Sequence, residues 1–441
     1  MPNPALPVIL ARSLLAGPQT LSAAVGRLAR TLGKRWDWLK PLATGYIRTF
    51  SGKVRPREQE VVAFLLRNPT YRQVRNLRGL RIDDWLTEPP QMRPVAAART
   101  WPVPAIETPG GLAAWFGITP DDLEWFADLR CLGHDRHTSQ PFRHYRYRPL
   151  TKRSGSLRLI EAPKPRLKDL QRQILNSILE KIPTHPAAHG FVKGRSIRTF
   201  VAPHIGQRVV LRMDLRDFFP SIPRARLQAL FRTVGYPEAV ANRLGGICAH
   251  AAPHDAWNSP GLDVDLQQLW EARLLYSQPH LPQGAPTSPA LANLCAYRVD
   301  CRLTGLAAAA GAHYTRYADD LAFSGGDDFD RRVERFSLHV AAILEEEGFH
   351  VHHRKTRIMR QGVRQHLAGL VANQRVNVMR PDFDLLKAIL TNCARLGPAG
   401  QNREAHPNFR MHLEGRVAFV ESINPAKGKR LRAIFDRIEW V

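Results

Sequence analysis

Tyr314-Thr315-Arg316-Tyr317-Ala318-Asp319-Asp320-Leu321-Ala322-Phe323 decides how the middle of this 441-residue chain folds. Apolar and aromatic residues flank Ala318-Asp319, which reads as two short strands joined by a tight turn. The two-residue period of a strand puts one of the adjacent carboxylates in the turn and the other on the opposite face. An aspartate pair here also has a plain explanation, because Asp tolerates turn geometry. Upstream, Val209-Val210-Leu211-Arg212-Met213 is a short apolar strand that ends at Asp214, where a charge often does no more than terminate the strand. Between the two lies Leu281-Pro282-Gln283-Gly284-Ala285-Pro286-Thr287-Ser288-Pro289. Gly284 would let a backbone approach a base pair closely, and Pro286 and Pro289 would stiffen the entry to a helix. An ordinary Pro/Gly loop reads the same way.

Further elements follow from the same periodicities. Tyr145–Arg148 and Leu157–Ile160 read as a hairpin turning at Lys152-Arg153-Ser154-Gly155. Leu167–Leu179, Arg224–Val234, Pro289–Leu306 and Phe329–Glu347 read as helices, residues 249–265 as a loop, and Val351 and the Ile358 region as strands. Thr119-Pro120-Asp121-Asp122 marks a helix start, with Thr119 as N-cap. The central order, strand–helix–helix–strand–strand–helix–strand, predicts an α+β architecture with an antiparallel sheet backed by helices on one face. The spacing divides the chain into a basic helical N-terminal region over 1–105, with a linker around Pro89-Pro90 to Pro104, a main domain over 106–380, and a helical end over 381–441 interrupted at Pro425–Gly428.

Lys plus Arg total 64 against 39 acidic residues, a formal net charge of +25. Such a surface favours a polyanion, since each phosphate contact releases counterions. No apolar run reaches the roughly 18 residues of a membrane span, and no basic amphipathic anchor dominates, so no membrane partner is expected. The five cysteines, Cys131, Cys248, Cys295, Cys301 and Cys393, form no CxxC and no zinc spacing. They read as buried free thiols of a reducing cytoplasm.

Aspartates at the ends of neighbouring strands are what nucleotidyl transfer requires. It uses two divalent ions about 4 Å apart, held by carboxylates and substrate phosphates. The three segments in this order resemble the motifs of reverse transcriptases, most closely the bacterial retron type, over residues 120–441. Asp214 with Asp217-Phe218-Phe219 is similar to motif A, Gln283-Gly284-Ala285-Pro286-Thr287-Ser288-Pro289 to motif B, and Tyr317-Ala318-Asp319-Asp320 to motif C. Lys152 and Arg158 with Ile160–Pro165 resemble the fingers hairpin. Ala188–Ile197 resembles the segment before motif A, Lys355-Thr356 motif D, and Leu413–Val420 with Asn424–Gly428 the thumb.

The resemblance implies a right-hand polymerase with fingers, palm and helical thumb beside the N-terminal extension. It implies Asp214, Asp319 and Asp320 as catalytic ligands of two Mg²⁺ ions, or Mn²⁺ in their place, with the Leu215 backbone carbonyl beside them. Lys152, Arg158, Phe219, Gln283, Gly284 and Lys355 would meet the dNTP, Phe219 as a gate against the 2′-hydroxyl and Lys355 as a proton donor to pyrophosphate. Tyr317, Lys193, Arg195, Lys427 and Lys429 would meet primer and template. The implied activity is RNA-directed DNA synthesis on part of a bound structured non-coding RNA. Anti-phage defence and a separately encoded effector protein complete the implication.

Two segments depart from the retron pattern associated with RNA handling. Phe200-Val201-Ala202-Pro203-His204 keeps only the histidine of Asn-Ala-x-x-His, and Leu367-Ala368-Gly369 replaces Val-Thr-Gly. These departures leave room for a related bacterial lineage. A group II intron-type enzyme with maturase activity, a defence polymerase with protein-primed or untemplated synthesis, and an inactive structured-RNA-binding protein are the other readings.

Overall fold

The computed structural model describes residues 6–51, 56–77, 79–84, 91–132, 143–152, 157–258 and 265–440. The expected turn at Arg153–Gly155, the Pro89-Pro90 pair and residues 259–264 of the expected loop lie outside the described residues. The chain divides into two units, 1–183 with 219–291 and 184–218 with 292–441.

In the first unit, helices Leu6–Leu15, Leu21–Thr31, Leu39–Phe50, Glu58–Arg67 and Pro69–Val74 enclose a core of Leu10, Leu14, Leu28, Leu42, Tyr46 and Leu65. Thr20 and Asn68 cap two of them through side-chain oxygens, satisfying backbone N–H groups left over at a helix start. Arg27 is buried within this core because its guanidinium donates to the carbonyls of Ser13, Leu14 and Pro18. The stretch expected to be a linker is instead docked. Arg93 N–H donates to the Gly235 carbonyl, Val95 N–H to Thr233, and Pro104 accepts from the Tyr236 hydroxyl. The segment holds one 3₁₀ turn at Ala96–Ala98, and these three hydrogen bonds tie it down.

Strands β1 (Tyr145–Thr151) and β2 (Leu157–Pro163) pair antiparallel, from Tyr145 opposite Pro163 to Thr151 opposite Leu157. Leu157, Leu159 and Glu161 point inward, and the two leucines pack with Trp257 and Tyr276. The helix expected from Leu167 begins at Pro165, where a proline costs no hydrogen bond, and ends at Ser177. Helices Pro109–Phe116, Pro120–Ala127 behind its expected Thr119 cap, Arg224–Val234, Glu238–Ile247 and Leu266–Ser277 also belong to the unit.

The second unit is built on β3 (Val209–Arg216), which continues two residues past Asp214. It pairs antiparallel with β5 (Asp320–Gly325), which pairs with β4 (His313–Tyr317); β6 (His350–Val351) and β7 (Arg357–Arg360) lie along its other edge. Helices Tyr297–Ala309 and Val333–Glu346 belong to this unit, and Phe336 meets Phe323 edge-on with ring centroids 5.1 Å apart. The expected Pro289–Leu306 helix is two, Ser288–Cys295 and Tyr297–Ala309, and no proline or glycine at Ala296 signals the break.

Helices are not confined to one side of the sheet. Val210 and Ala322 share a core with Leu386, Leu390, Leu413, Val417 and Leu431 of the C-terminal helices Arg380–Leu396, Phe409–Ile423 and Pro425–Phe435. The expected interruption falls at Asn424, which ends one helix and caps the next, and Pro425 opens that next helix. Gly428 is needed there, because a Cβ would lie 2.4 Å from the Glu421 Cα. A small sheet of β8 (His366–Leu367), β9 (Leu370–Val371) and β10 (Asn377–Val378) joins this core. Its first turn is Ala368-Gly369, with φ of 46° and 80°, the twist that two-residue hairpins favour.

Candidate active site

The register of β3 against β5 places Asp214 directly opposite Asp320. Residues opposite one another share a face of the sheet, and Arg212, two residues before Asp214, shares it too. Asp319 stands in the turn, and its carbonyl accepts from Leu215 N–H at 2.9 Å. The Leu215 carbonyl points the same way as its N–H, toward this turn, as in any extended residue.

Two cations offset part of the group's charge. Lys355 Nζ lies 2.8 Å from Asp214 Oδ1, and the Arg212 guanidinium donates twice to Asp320 Oδ1, at 2.7 and 3.0 Å. The Asp319 carboxyl is pushed up to about 6, first by burial and then by the charges of Asp214 and Asp320. Burial also raises Asp320, against the pull of Arg212. Hard oxygen donors crowded into a desolvated patch, each charge raising the proton affinity of the next, suit a divalent cation of the Mg²⁺ type. Lys355 and Arg212 hold two of the carboxylates, and no three His, Cys, Asp or Glu side chains among the described residues converge as a formed metal site.

The other expected residues divide by unit. In the second, Tyr317 packs its ring 5.7 Å from that of Phe200. Lys193 and Lys429 are exposed. Arg195 turns inward and donates to the carbonyls of Pro186 and Ala188. Lys427 Nζ sits 4.8 Å above the Phe383 ring. His204 lies in a segment that the resemblance ties to RNA, yet it is fully buried. Its Nδ1 meets the Ser324 hydroxyl at 2.6 Å and its Nε2 the Thr315 hydroxyl at 2.7 Å, so it joins β4 to β5. Burial lowers this imidazole to about 3 and keeps it neutral.

In the first unit, Gln283 and Gly284 are clipped to β2. Gln283 accepts from Glu161 N–H at 2.9 Å, and a Cβ on Gly284 (φ 138°) would lie 2.7 Å from the Glu161 carbonyl oxygen. The close approach that requires this glycine is therefore to a strand of the protein. Beneath it, His280 Nε2 meets Glu161 Oε2 at 3.0 Å, both side chains buried. Burial lowers His280, but the Glu161 charge and hydrogen bond outweigh it and leave the imidazole raised. Lys152 and Arg158 flank the hairpin turn. Strand alternation adds Arg146 and Arg148 to the face of Arg158, since these three stand opposite Ala162, Ile160 and Leu150 on one side of the ribbon. Both were visible in the sequence as alternating arginines. Phe219 is half-buried; Phe218, which belongs to the second unit, is a core residue there, 5.7 Å from Phe349. Of the cysteines, Cys248 and Cys393 are buried, but Cys301 is exposed, on the open side of its helix; all five are free. No helix among the described residues is long and apolar enough to cross a membrane.

Residues 150–379 match the family model for reverse transcriptase (RNA-dependent DNA polymerase). The retron Mx65 reverse transcriptase of Myxococcus xanthus is 39% identical over 361 residues, covering 81% of this chain and 75% of that one. The retron Mx162 reverse transcriptase of the same organism is 36% identical, covering 76% and 67%. A foamy viral protease-reverse transcriptase solved with double-stranded DNA aligns at a TM-score of 0.33 and 15% identity, over 71% of this chain and 47% of that one. By the family match and the Myxococcus relatives, this chain is a member of the reverse transcriptase family, of the bacterial retron type, and an RNA-directed DNA polymerase.

Proposed function

We propose that this polymerase copies part of a bound, structured non-coding RNA into DNA at Asp214, Asp319 and Asp320, in the service of anti-phage defence. The observation that carries the site is the register: Asp214 opposite Asp320, with Asp319 in the turn bonded to Leu215. Two Mg²⁺ ions, or Mn²⁺, would lower the pKa of the primer 3′-hydroxyl and bind the triphosphate. The three carboxylates and the Leu215 carbonyl would hold them. The 3′-oxygen bonds the α-phosphorus, the bond to the β-phosphate oxygen breaks, and pyrophosphate leaves.

Lys152 and Arg158 neutralise charge growing on that leaving group, with Arg146 and Arg148 extending the basic face. Gln283 and Gly284 shape the nucleotide's seat from their anchorage on β2. Lys355 is the proton donor to pyrophosphate, and its ammonium offsets Asp214. Phe219 excludes the 2′-hydroxyl, so Phe219→Val should raise rNTP use relative to dNTP. Lys193, Arg195, Tyr317, Lys427 and Lys429 line the primer–template path, with Arg195 shaping its loop through backbone carbonyls.

The test is purification from native cells beside an Asp319→Asn twin, followed by sequencing of the co-purifying nucleic acid. One small RNA in both samples, with complementary DNA only in the wild type, is the expected result. RNA in both and DNA in neither would favour an inactive RNA-binding protein. DNA in both would remove Asp319 from the site.

A further inference from the structure

The geometry points to Arg316, held by Asp300 and Asn293, as a positioning residue that fixes the left-handed turn presenting Asp319; this rests on the reading of Asp319 as a cation ligand.

Arg316 and Asp300 are both fully buried. Nε and Nη2 of the guanidinium reach Asp300 Oδ1 and Oδ2 at 2.8 and 2.6 Å, and the Tyr314 hydroxyl also donates to Oδ1, at 2.8 Å. The remaining nitrogen faces the site. Nη1 donates to the Ala318 carbonyl at 3.1 Å and to Asn293 Oδ1 at 3.0 Å. Asn293 passes the contact on, its Nδ2 donating to the Gly190 carbonyl at 2.8 Å. Gly190 lies against the turn so closely that a Cβ would stand 2.6 Å from the Ala318 nitrogen.

Ala318 has φ of 55°, a conformation that a residue with a Cβ adopts only when its surroundings hold it. Those surroundings are the guanidinium on its carbonyl and the bare glycine against its nitrogen. The carbonyl so gripped belongs to the peptide that leads into Asp319. A buried ion pair adds little net stability over an apolar replacement, so its value here lies in where it aims the third nitrogen. Like charges on Asp214 and Asp320 push the turn away from the geometry that gathers them, and Arg316 resists from below.

The experiment uses the full chain. Arg316→Lys keeps a charge opposite Asp300 and loses the fork to Ala318 and Asn293. Hydrogen exchange over residues 314–321, measured with no added cation, should quicken about tenfold. The Mn²⁺ concentration for half-maximal oligo(dT) extension on poly(rA) should rise about tenfold, while the KM for dTTP moves less than about twofold. Adding Ala318→Gly, which adopts positive φ without strain, should bring the Mn²⁺ requirement back toward the wild type. Unchanged exchange, an unchanged Mn²⁺ requirement, or no recovery on adding Ala318→Gly would overturn the assignment. If Arg316→Lys does not fold, Asn293→Ala keeps the ion pair and removes the strut to Gly190, and the same two shifts are then required. Hydrogen exchange reads the brace without a cation, whereas an active Asp319→Asn enzyme would defeat the ligand reading and leave the brace standing.

Discussion

Two aspartate–cation pairs in the second unit are built in opposite ways. Arg316–Asp300 is bidentate and fully buried, and every polar atom at its centre has a partner. Lys355–Asp214 is one contact at 2.8 Å, made by a lysine whose side chain is 47% exposed to water. A planar guanidinium fork in a dry pocket has one arrangement, while a lysine on a four-carbon stem can leave and return. The fixed pair suits a scaffold. The loose pair suits the roles proposed for its members, a carboxylate that would exchange a protein cation for another one and a lysine that would move a proton.

If that contrast is right, breaking the dry pair should unfold before it inactivates. Asp300→Ala leaves a buried guanidinium uncompensated and should cost about 3–5 kcal/mol, read from urea unfolding. A loss under about 1 kcal/mol would mean that water reaches the pair. The wet pair should behave the other way round. Lys355→Met should cost less than about 1 kcal/mol of stability. It should slow turnover by about 10²-fold, as expected of a missing general acid. Equal losses in both properties would erase the distinction between the pairs.

His204 gives a smaller and pH-dependent measure of the same scaffold. Its folded pKa, about 3, is depressed by burial and then by His313 and His189. The folded state therefore binds fewer protons than the unfolded chain. Its contribution to stability is present above the ordinary histidine value near 6.5 and is lost as pH falls from there toward 3. Between pH 7 and 5 the loss should be about 2 kcal/mol, and His204→Gln should flatten that slope. A slope unaltered by the substitution would place the titrating group elsewhere.

The sequence made the sheet and its turn legible because strand periodicity and turn chemistry are local. Apolar alternation on both sides of Ala318-Asp319 left little else for that segment to be. The scaffold beneath was not legible. Asp300 is 16 residues from Arg316 and Asn293 is 23, and on a helix each looks like a solvated face. Only packing reveals that they meet. The break at Ala296 was hidden for the opposite reason, since helix-forming residues surround it. Gly284 was legible as a close approach but not as one to β2, because a glycine states that something comes near without saying what.

Strand β4 lies at the end of the sheet order, where a strand's outer row of amides and carbonyls has no partner strand within the sheet. The segment before β3 closes part of that row: Arg316 N–H donates to the Ala187 carbonyl and His189 N–H to the Arg316 carbonyl, both at 2.7 Å. This two-bond patch covers part of an edge that could otherwise pair with another chain. A chain in which residues 187–189 were pulled away would present a β-branched and aromatic strand, Tyr314-Thr315-Arg316-Tyr317, for edge-to-edge addition, and insoluble aggregates would be the first sign of it.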